Sequence, residues 1–344
     1  LMILMDRGLI DLEKPANTYL GESKLHSYSE NTSDATVLRL LNHTSGLVTH
    51  WHFFYADESY PRPSMDETIR SYGILIFPPG SQYMYSNLGY GILDYIIERI
   101  SGRPYPEFMA LEVFAPLGMT DSAVYVEPGP EDRVAQRYMG KERLLPFYDF
   151  DHRGASAVYC SARDLLRFGM FHLKNDVPSQ KQILTENSID QMKSGRDPAV
   201  ESNEYRLGWS RSHLAQYEAF SHGGGMPGVS TNLLLIPELD IALVMLCNTR
   251  YGGLRPIAIA TLKALIPGLE EDMAAASKAK AKPKPEAKPE AKPEAKPEAK
   301  PDAQPKPKPT DTPEALLGRW KGEIFTHEGK IPVELLVEKD NRIS

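Results

Sequence analysis

Apolar residues at positions 92, 93, 96, 97 and 100 are all isoleucine or leucine and fall at helical spacing. They lie on one face of a helix, and Ser101-Gly102 supplies its stop. Residues 1–5 read as the end of another helix, with Gly8 as the chain reversal. Val37–Leu41 predicts a short apolar helix that breaks at His43-Thr44-Ser45-Gly46. Ser161-Ala162-Arg163-Asp164 resembles a capping box and starts a helix through Leu173. Two apolar runs of strand length, 233–236 and 241–246, flank Pro237-Glu238-Leu239-Asp240 and predict a buried hairpin. Residues 257–265 read as a last helix, closed by Pro267-Gly268. Strands gathered late among helical segments predict an α/β fold: an antiparallel sheet flanked by helices, plus a helical subdomain.

The pattern changes near residue 272, and composition explains why. Residues 273–313 are almost entirely Ala, Lys, Pro and Glu, and Glu-Ala-Lys-Pro repeats four times between Glu286 and Pro301. Proline at every fourth position opposes a helix, and the lack of large apolar side chains opposes a core. The expectation is a disordered, extended linker. Ten lysines face five acidic residues over 278–309. A solvated spacer is the plain reading, and weak cell-wall or envelope association through its basic charge is the sharper one. Beyond it, Leu316-Leu317-Gly318-Arg319-Trp320 and the alternation of Ile331, Val333, Leu335 and Val337 predict the opening strands of a small β unit. The expected domains are 1–272, a linker over 273–313, and a partial β unit over 314–344.

The formal charge of −7 over 344 residues argues against nucleic acid as the main partner. No run reaches the roughly 18 apolar residues of a membrane span. Cys160 and Cys247 read as small hydrophobes rather than a disulfide or a metal pair. His43 and His50-Trp51-His52 invite a metal reading. No carboxylate or third histidine falls at ligand spacing along the chain, so neither metal nor cofactor is expected.

Two stretches carry candidate chemistry. Pro78-Pro79-Gly80 turns the chain towards Tyr85-Ser86-Asn87, just ahead of a helix. A phenol of lowered pKa can take a proton, and an amide can hold a substrate or a lysine. Later, His222-Gly223-Gly224-Gly225 and Pro227-Gly228 precede the predicted hairpin. Glycines there let a ligand approach a strand edge, and the histidine offers a polar contact. Either stretch alone is as well explained by an ordinary turn. Tyr205-Arg206-Leu207-Gly208-Trp209 reads as a core strand, or less simply as a cleft wall.

Taken together, Gly8, Ile10, Leu12 and Pro15, then Leu41-Asn42-His43-Thr44-Ser45-Gly46-Leu47, then Tyr85-Ser86-Asn87, then His222-Gly223-Gly224 resemble one family. It is that of serine β-lactamases (class C-like), penicillin-binding DD-peptidases and related esterases, and the likeness runs over 1–267. The family uses Ser-x-x-Lys, Tyr-x-Asn and Lys-Thr-Gly or a His-x-Gly variant. The only Ser-x-x-Lys in this sequence is Ser277 to Lys280. The resemblance places the nucleophile roughly ten residues before Leu1, so residues 1–344 are expected to be inactive, and residues 1–272 expressed alone to be inactive and poorly folded as well. It implies acyl transfer through an acyl-enzyme. Tyr85 manages a proton, Asn87 positions lysine and substrate, and Gly225 donates to the oxyanion. His222 stands where relatives carry lysine, and Ser86, Gly223 and Gly224 contact the substrate. A neutral histidine binds carboxylates weakly, which favours an ester or peptide substrate over a β-lactam. Relatives suggest a periplasmic or extracellular setting. A non-catalytic binding or regulatory protein on the same scaffold is the alternative.

Overall fold

The computed structural model describes residues 1–27, 31–126, 134–200, 203–281, 318–326 and 329–337. Contacts divide it into two units, Leu1–Ala279 and Lys280–Ser344.

The first unit is built on a four-stranded antiparallel meander: β1 (Ser210–Leu214), β2 (Tyr217–Met226), β3 (Val229–Ile236) and β4 (Ile241–Cys247), in spatial order β4-β3-β2-β1. The period of two decides what each face carries. Ala219, Leu234, Ile236 and Leu243 point to one face and pack on Leu262, Ile266 and Leu269. Those three belong to α5 (Leu254–Leu265), α6 (Leu269–Ala281) and the turn between them. Phe220, Leu233, Leu235 and Val244 point to the other face. There they meet Trp209 and the Leu165 and Phe168 side chains of α4 (Ala162–His172). Gly169 lets α4 lie close to the sheet, since a β-carbon there would meet Ala242, Leu233 and Leu235 at 3.2 Å.

The helical part forms the larger core. α1 (Met2–Asp6), α2 (Val37–Leu41) and α3 (Asn87–Ser101) bury Leu4, Val37, Leu40, Leu88, Ile92 and Ile96 together. Each such side chain contributes about 1.5–3 kcal/mol. The predicted boundaries follow cap chemistry. Thr36 caps α2, Gly102 ends α3 at φ 68°, and Ser161 Oγ accepts from the Asp164 N–H at 3.1 Å.

Three expectations change. The helix over 254–265 is not the last, because α6 follows it and runs through Met273–Ala281. That proline-free, alanine-rich segment favours helix, so Ser277-x-x-Lys280 sits in a helical turn and not in an extended linker. The rest of the proposed linker, 282–313, lies outside the described residues, as do the first four positions of the proposed β unit, 314–317. Finally, His222–Gly225 is not a turn before the sheet but part of its second strand.

Both cysteines are free thiols, half-buried. In the second unit, β5 (Gly318–Thr326) and β6 (Gly329–Val337) pair antiparallel with Gly318 opposite Val337. Among the described residues no helix is long and apolar enough to cross a membrane.

Candidate active site

Two of the sequence signatures form one structure. His43 takes a left-handed conformation, φ 61°, which ends α2 and turns the chain. The carbonyl of His43 accepts from the Met84 N–H at 2.8 Å, and that of Thr44 from the Gly80 N–H at 2.8 Å. Gly46, at φ 89°, leaves no room for a side chain: a β-carbon would lie 2.1 Å from the Phe77 carbonyl oxygen. The turn is anchored below by Asp197, buried, which accepts from Arg39 Nε and Thr44 Oγ1, each at 2.8 Å. Residues 43–46 are therefore the bed on which the 80–87 loop rests.

That bed presents Tyr85, half-buried, beside the His43 ring at 4.3 Å between centroids. Thr49 Oγ1 donates to the Tyr85 carbonyl at 2.5 Å and fixes the backbone. Burial pushes the Tyr85 phenol above its ordinary pKa. The lowered pKa expected of this phenol is therefore not produced by the described residues. Deprotonating it needs a cation alongside.

Ser86 requires a correction. It was expected to touch substrate, but it is 1% exposed. Its hydroxyl donates to the Val48 carbonyl at 2.8 Å and accepts from the Gly89 N–H at 3.1 Å. Ser86 is the N-cap of α3, and its role is to aim its neighbours. Asn87 opens the helix, 9% exposed.

His222 joins this group through Tyr205, for which the sequence offers a core strand or a cleft wall. The Tyr205 ring lies 4.5 Å from His43 and 5.9 Å from His222. Tyr83 and Tyr90 complete a cage around His43 at 5.9 and 5.2 Å. Inside it, burial, and to a lesser extent the repulsion a protonated His222 would exert, lower the His43 pKa to about 3. His43 Nδ1 accepts from the Ser86 N–H at 3.2 Å, so Nε2 carries the proton, and it has no partner among the described residues. Burial also lowers the His222 pKa, partly offset by a hydrogen bond to the Gly223 backbone. Both imidazoles are neutral at pH 7.

Strand pairing decides what the three glycines offer. β1 covers β2 only as far as Ser221, which faces Ser210. Residues 222–226 keep β3 on one side and, among the described residues, have no strand on the other. Two-residue hairpins join Leu214 to Tyr217 and Met226 to Val229, and the residues closing such loops pair through both backbone groups. Alternation then turns residues 222, 224 and 226 towards β3. The N–H and C=O of Gly223 and Gly225 turn to the open edge. All three glycines are exposed. Gly224 also lacks space for a side chain, since a β-carbon would meet Thr231 Oγ1 at 2.6 Å.

An α/β architecture with a tyrosine loop opposite a glycine-rich open strand edge is the β-lactamase/DD-peptidase-like fold. The chain belongs to the Beta-lactamase family, whose model matches residues 1–266. It is 27% identical over 252 residues to an unguisins hydrolase of Aspergillus campestris, covering 70% of this chain and 47% of that protein. It is 24% identical over 235 residues to penicillin-binding protein 4 of Amycolatopsis lactamdurans, covering 64% of this chain and 61% of that one. The octameric penicillin-binding protein homologue from Pyrococcus abyssi superposes with a TM-score of 0.62 at 20% identity, over 97% of this chain and 75% of that one. The chain thus spans about half the length of the curated relatives it matches.

Elsewhere the fold brings together residues that sequence spacing kept apart. His50 Nε2 lies 2.7 Å from Asp151 Oδ2, and His152 Nδ1 lies 2.6 Å from Asp151 Oδ1. The carboxylate and third donor that were missing near His50 come from a hundred residues later. His52, by contrast, points its ring at Phe54, 4.3 Å away.

Proposed function

We propose that this chain is the larger part of a serine hydrolase that forms an acyl-enzyme on an ester or amide carbonyl. The observation that carries the reading is the open edge at Gly223 and Gly225, next to a His222 whose neighbour Tyr205 also lies against Tyr85, in a chain of the Beta-lactamase family. Backbone N–H groups aimed at unpaired space are suited to hold a developing oxyanion, and Gly225 is assigned that part. Tyr85 is the proton-handling group. With its phenol raised by burial, it donates in the ground state and acts as a base only beside an ammonium. A lysine of a Ser-x-x-Lys preceding residue 1 is assigned as that cation, and its serine as the nucleophile. Attack by the serine oxygen, whose proton passes to the Tyr85 phenolate, forms a tetrahedral adduct with the carbonyl electrons on the oxyanion. Collapse restores the carbonyl as the serine acyl ester and expels the leaving group, which takes that proton from Tyr85. Water then attacks the acyl-enzyme by the reverse proton path.

His222 decides between substrate classes in this reading. A neutral imidazole is a poorer site for a carboxylate than an ammonium. We therefore favour esters and peptides over β-lactams, and a periplasmic or extracellular setting like that of penicillin-binding relatives.

The test is hydrolysis of a short-chain p-nitrophenyl ester by the protein with its preceding segment, together with fluorophosphonate labelling. The expected result is turnover with one labelled serine, upstream of residue 1. Labelling of a serine within residues 1–344 would overturn the assignment. Absence of both turnover and labelling would favour a non-catalytic binding protein on this scaffold.

A further inference from the structure

The His50–Asp151–His152 cluster takes no part in the reading above. Its ligand atoms, two imidazole nitrogens and a carboxylate oxygen, all lie within 4.8 Å of one another. The three side chains are 10%, 0% and 2% exposed. We propose that His50, Asp151 and His152 form a binding site for one divalent transition-metal ion of the zinc type.

The donor set selects the ion. Calcium and magnesium prefer all-oxygen cages, whereas two imidazoles with one carboxylate suit zinc and its first-row neighbours. The donor atoms are already convergent. His50 Nε2 and His152 Nδ1 both point at Asp151, at 2.7 and 2.6 Å, so an ion enters by replacing the protons that bridge them. Three protein donors leave the fourth tetrahedral position to water.

The surroundings hold the ligands in place, as metal sites require. The Tyr72 ring lies 4.3 Å from that of His50. Gly91 gives the backbone of His152 its seat: a β-carbon at Gly91 would fall 2.9 Å from His152 Cα. Thr68 Oγ1 lies 3.4 Å from Asp151 Oδ2. A second carboxylate acts on His52 beside the cluster: Glu58, whose buried Oε1 has no hydrogen-bond partner among the described residues. A cleft of about 250 Å³, lined by Arg62, Asp94, Tyr105 and Arg153, borders the cluster at Asp151.

The ion has a mechanical consequence. His50 follows Thr49, whose hydroxyl holds the Tyr85 carbonyl. Asp151 and His152 follow the strand Tyr148–Phe150, which pairs with Phe53–Tyr55. A metal here ties the loop that steadies Tyr85 to a segment a hundred residues away, and works as a structural clip rather than a catalyst.

The experiment is isothermal titration of the chelator-stripped protein, carrying its preceding segment, with Zn²⁺, with cobalt substitution as a second reading. The unsubstituted chain is expected to bind one Zn²⁺. Asp151→Asn and His50→Gln should each weaken binding by at least about a hundredfold, and His213→Gln on the sheet should leave it unchanged. The unsubstituted chain is also loaded with Co²⁺, a reading that does not depend on the folding of either variant. A visible ligand-field band that Zn²⁺ abolishes is expected. The proposal is overturned if the unsubstituted chain binds no Zn²⁺, if both variants bind it as tightly, or if bound Co²⁺ gives no such band.

Discussion

His43 and His50 are seven residues apart in the chain and sit in opposite electrostatic worlds. His43 is enclosed by four tyrosine rings, has no carboxylate, and is held neutral by burial, with its pKa near 3. His50 shares a fully buried carboxylate with His152. Burial works against the charge of Asp151, but hydrogen bonds from His152 and His50 outweigh it and hold its carboxyl well below the usual range. Residue type alone therefore says little. The partners decide whether a histidine shapes a neutral aromatic wall or stands ready for an ion.

The sharpest way to break this comparison is to remove the carboxylate. Asp151→Ala leaves two buried imidazoles without their shared acceptor, and should cost about 3–5 kcal/mol in urea unfolding. A loss under about 1 kcal/mol would mean that the cluster does not hold its two segments together. Next in size is Tyr85→Phe in the protein with its preceding segment. Turnover of the p-nitrophenyl ester should fall at least about a hundredfold while the melting temperature holds. Near-normal turnover removes Tyr85 from the chemistry.

The third test uses pH. The folded pKa of His43 lies near 3, below the unfolded value of about 6.5. Between those values the unfolded chain takes a proton that the folded one refuses. Stability from this source is complete above about pH 6.5 and declines as pH falls towards 3. His172, also lowered to about 3 by burial, adds to the same slope. His43→Asn, which tolerates the left-handed backbone, should make the slope shallower by up to about 1.4 kcal/mol per pH unit. An unchanged slope in denaturation curves from pH 6.5 to 4 would show that His43 is protonated when folded. The smallest effect belongs to Gly225→Ala. Its β-carbon would meet only the exposed Arg250 side chain, at 3.0 Å, and it keeps its N–H. Stability should shift by less than about 0.5 kcal/mol with turnover largely kept. Gly224→Ala, which meets Thr231 at 2.6 Å in the sheet, should cost clearly more.

What was readable beforehand was local. The helix over Asn87–Ser101 and its glycine stop, the Val37–Leu41 helix with its break, and the Ser161 cap depend on neighbours within a few positions. So did Tyr85-Ser86-Asn87 and His222-Gly223-Gly224 as signatures. Unreadable were the contacts that only folding creates. Tyr205 looked like core and is core, yet it also bridges His43 and His222. The Ser86 hydroxyl is committed to the Val48 carbonyl, which sequence spacing does not reveal. Asp151-His152 lies in no motif, and only the pairing of Phe53–Tyr55 with Tyr148–Phe150 brings it to His50. The helix through Met273–Ala281 was missed because proline-rich composition was extended backwards into a stretch without proline.

The bare edge of β2 has another consequence, for how molecules of this protein behave in a crowd. Unpaired backbone donors and acceptors on a strand are a template on which any extended chain can grow a sheet, including a second copy. Filling the edge with valine or isoleucine would make it adhesive, because β-branched side chains knit neighbouring strands. Three successive glycines offer the template without the glue. They provide no side chains for an incoming strand to grip, and they resist being fixed in the extended state. The edge at Gly223–Gly225 is therefore open to a short ligand anchored elsewhere, and unrewarding to a passing strand that brings only its backbone.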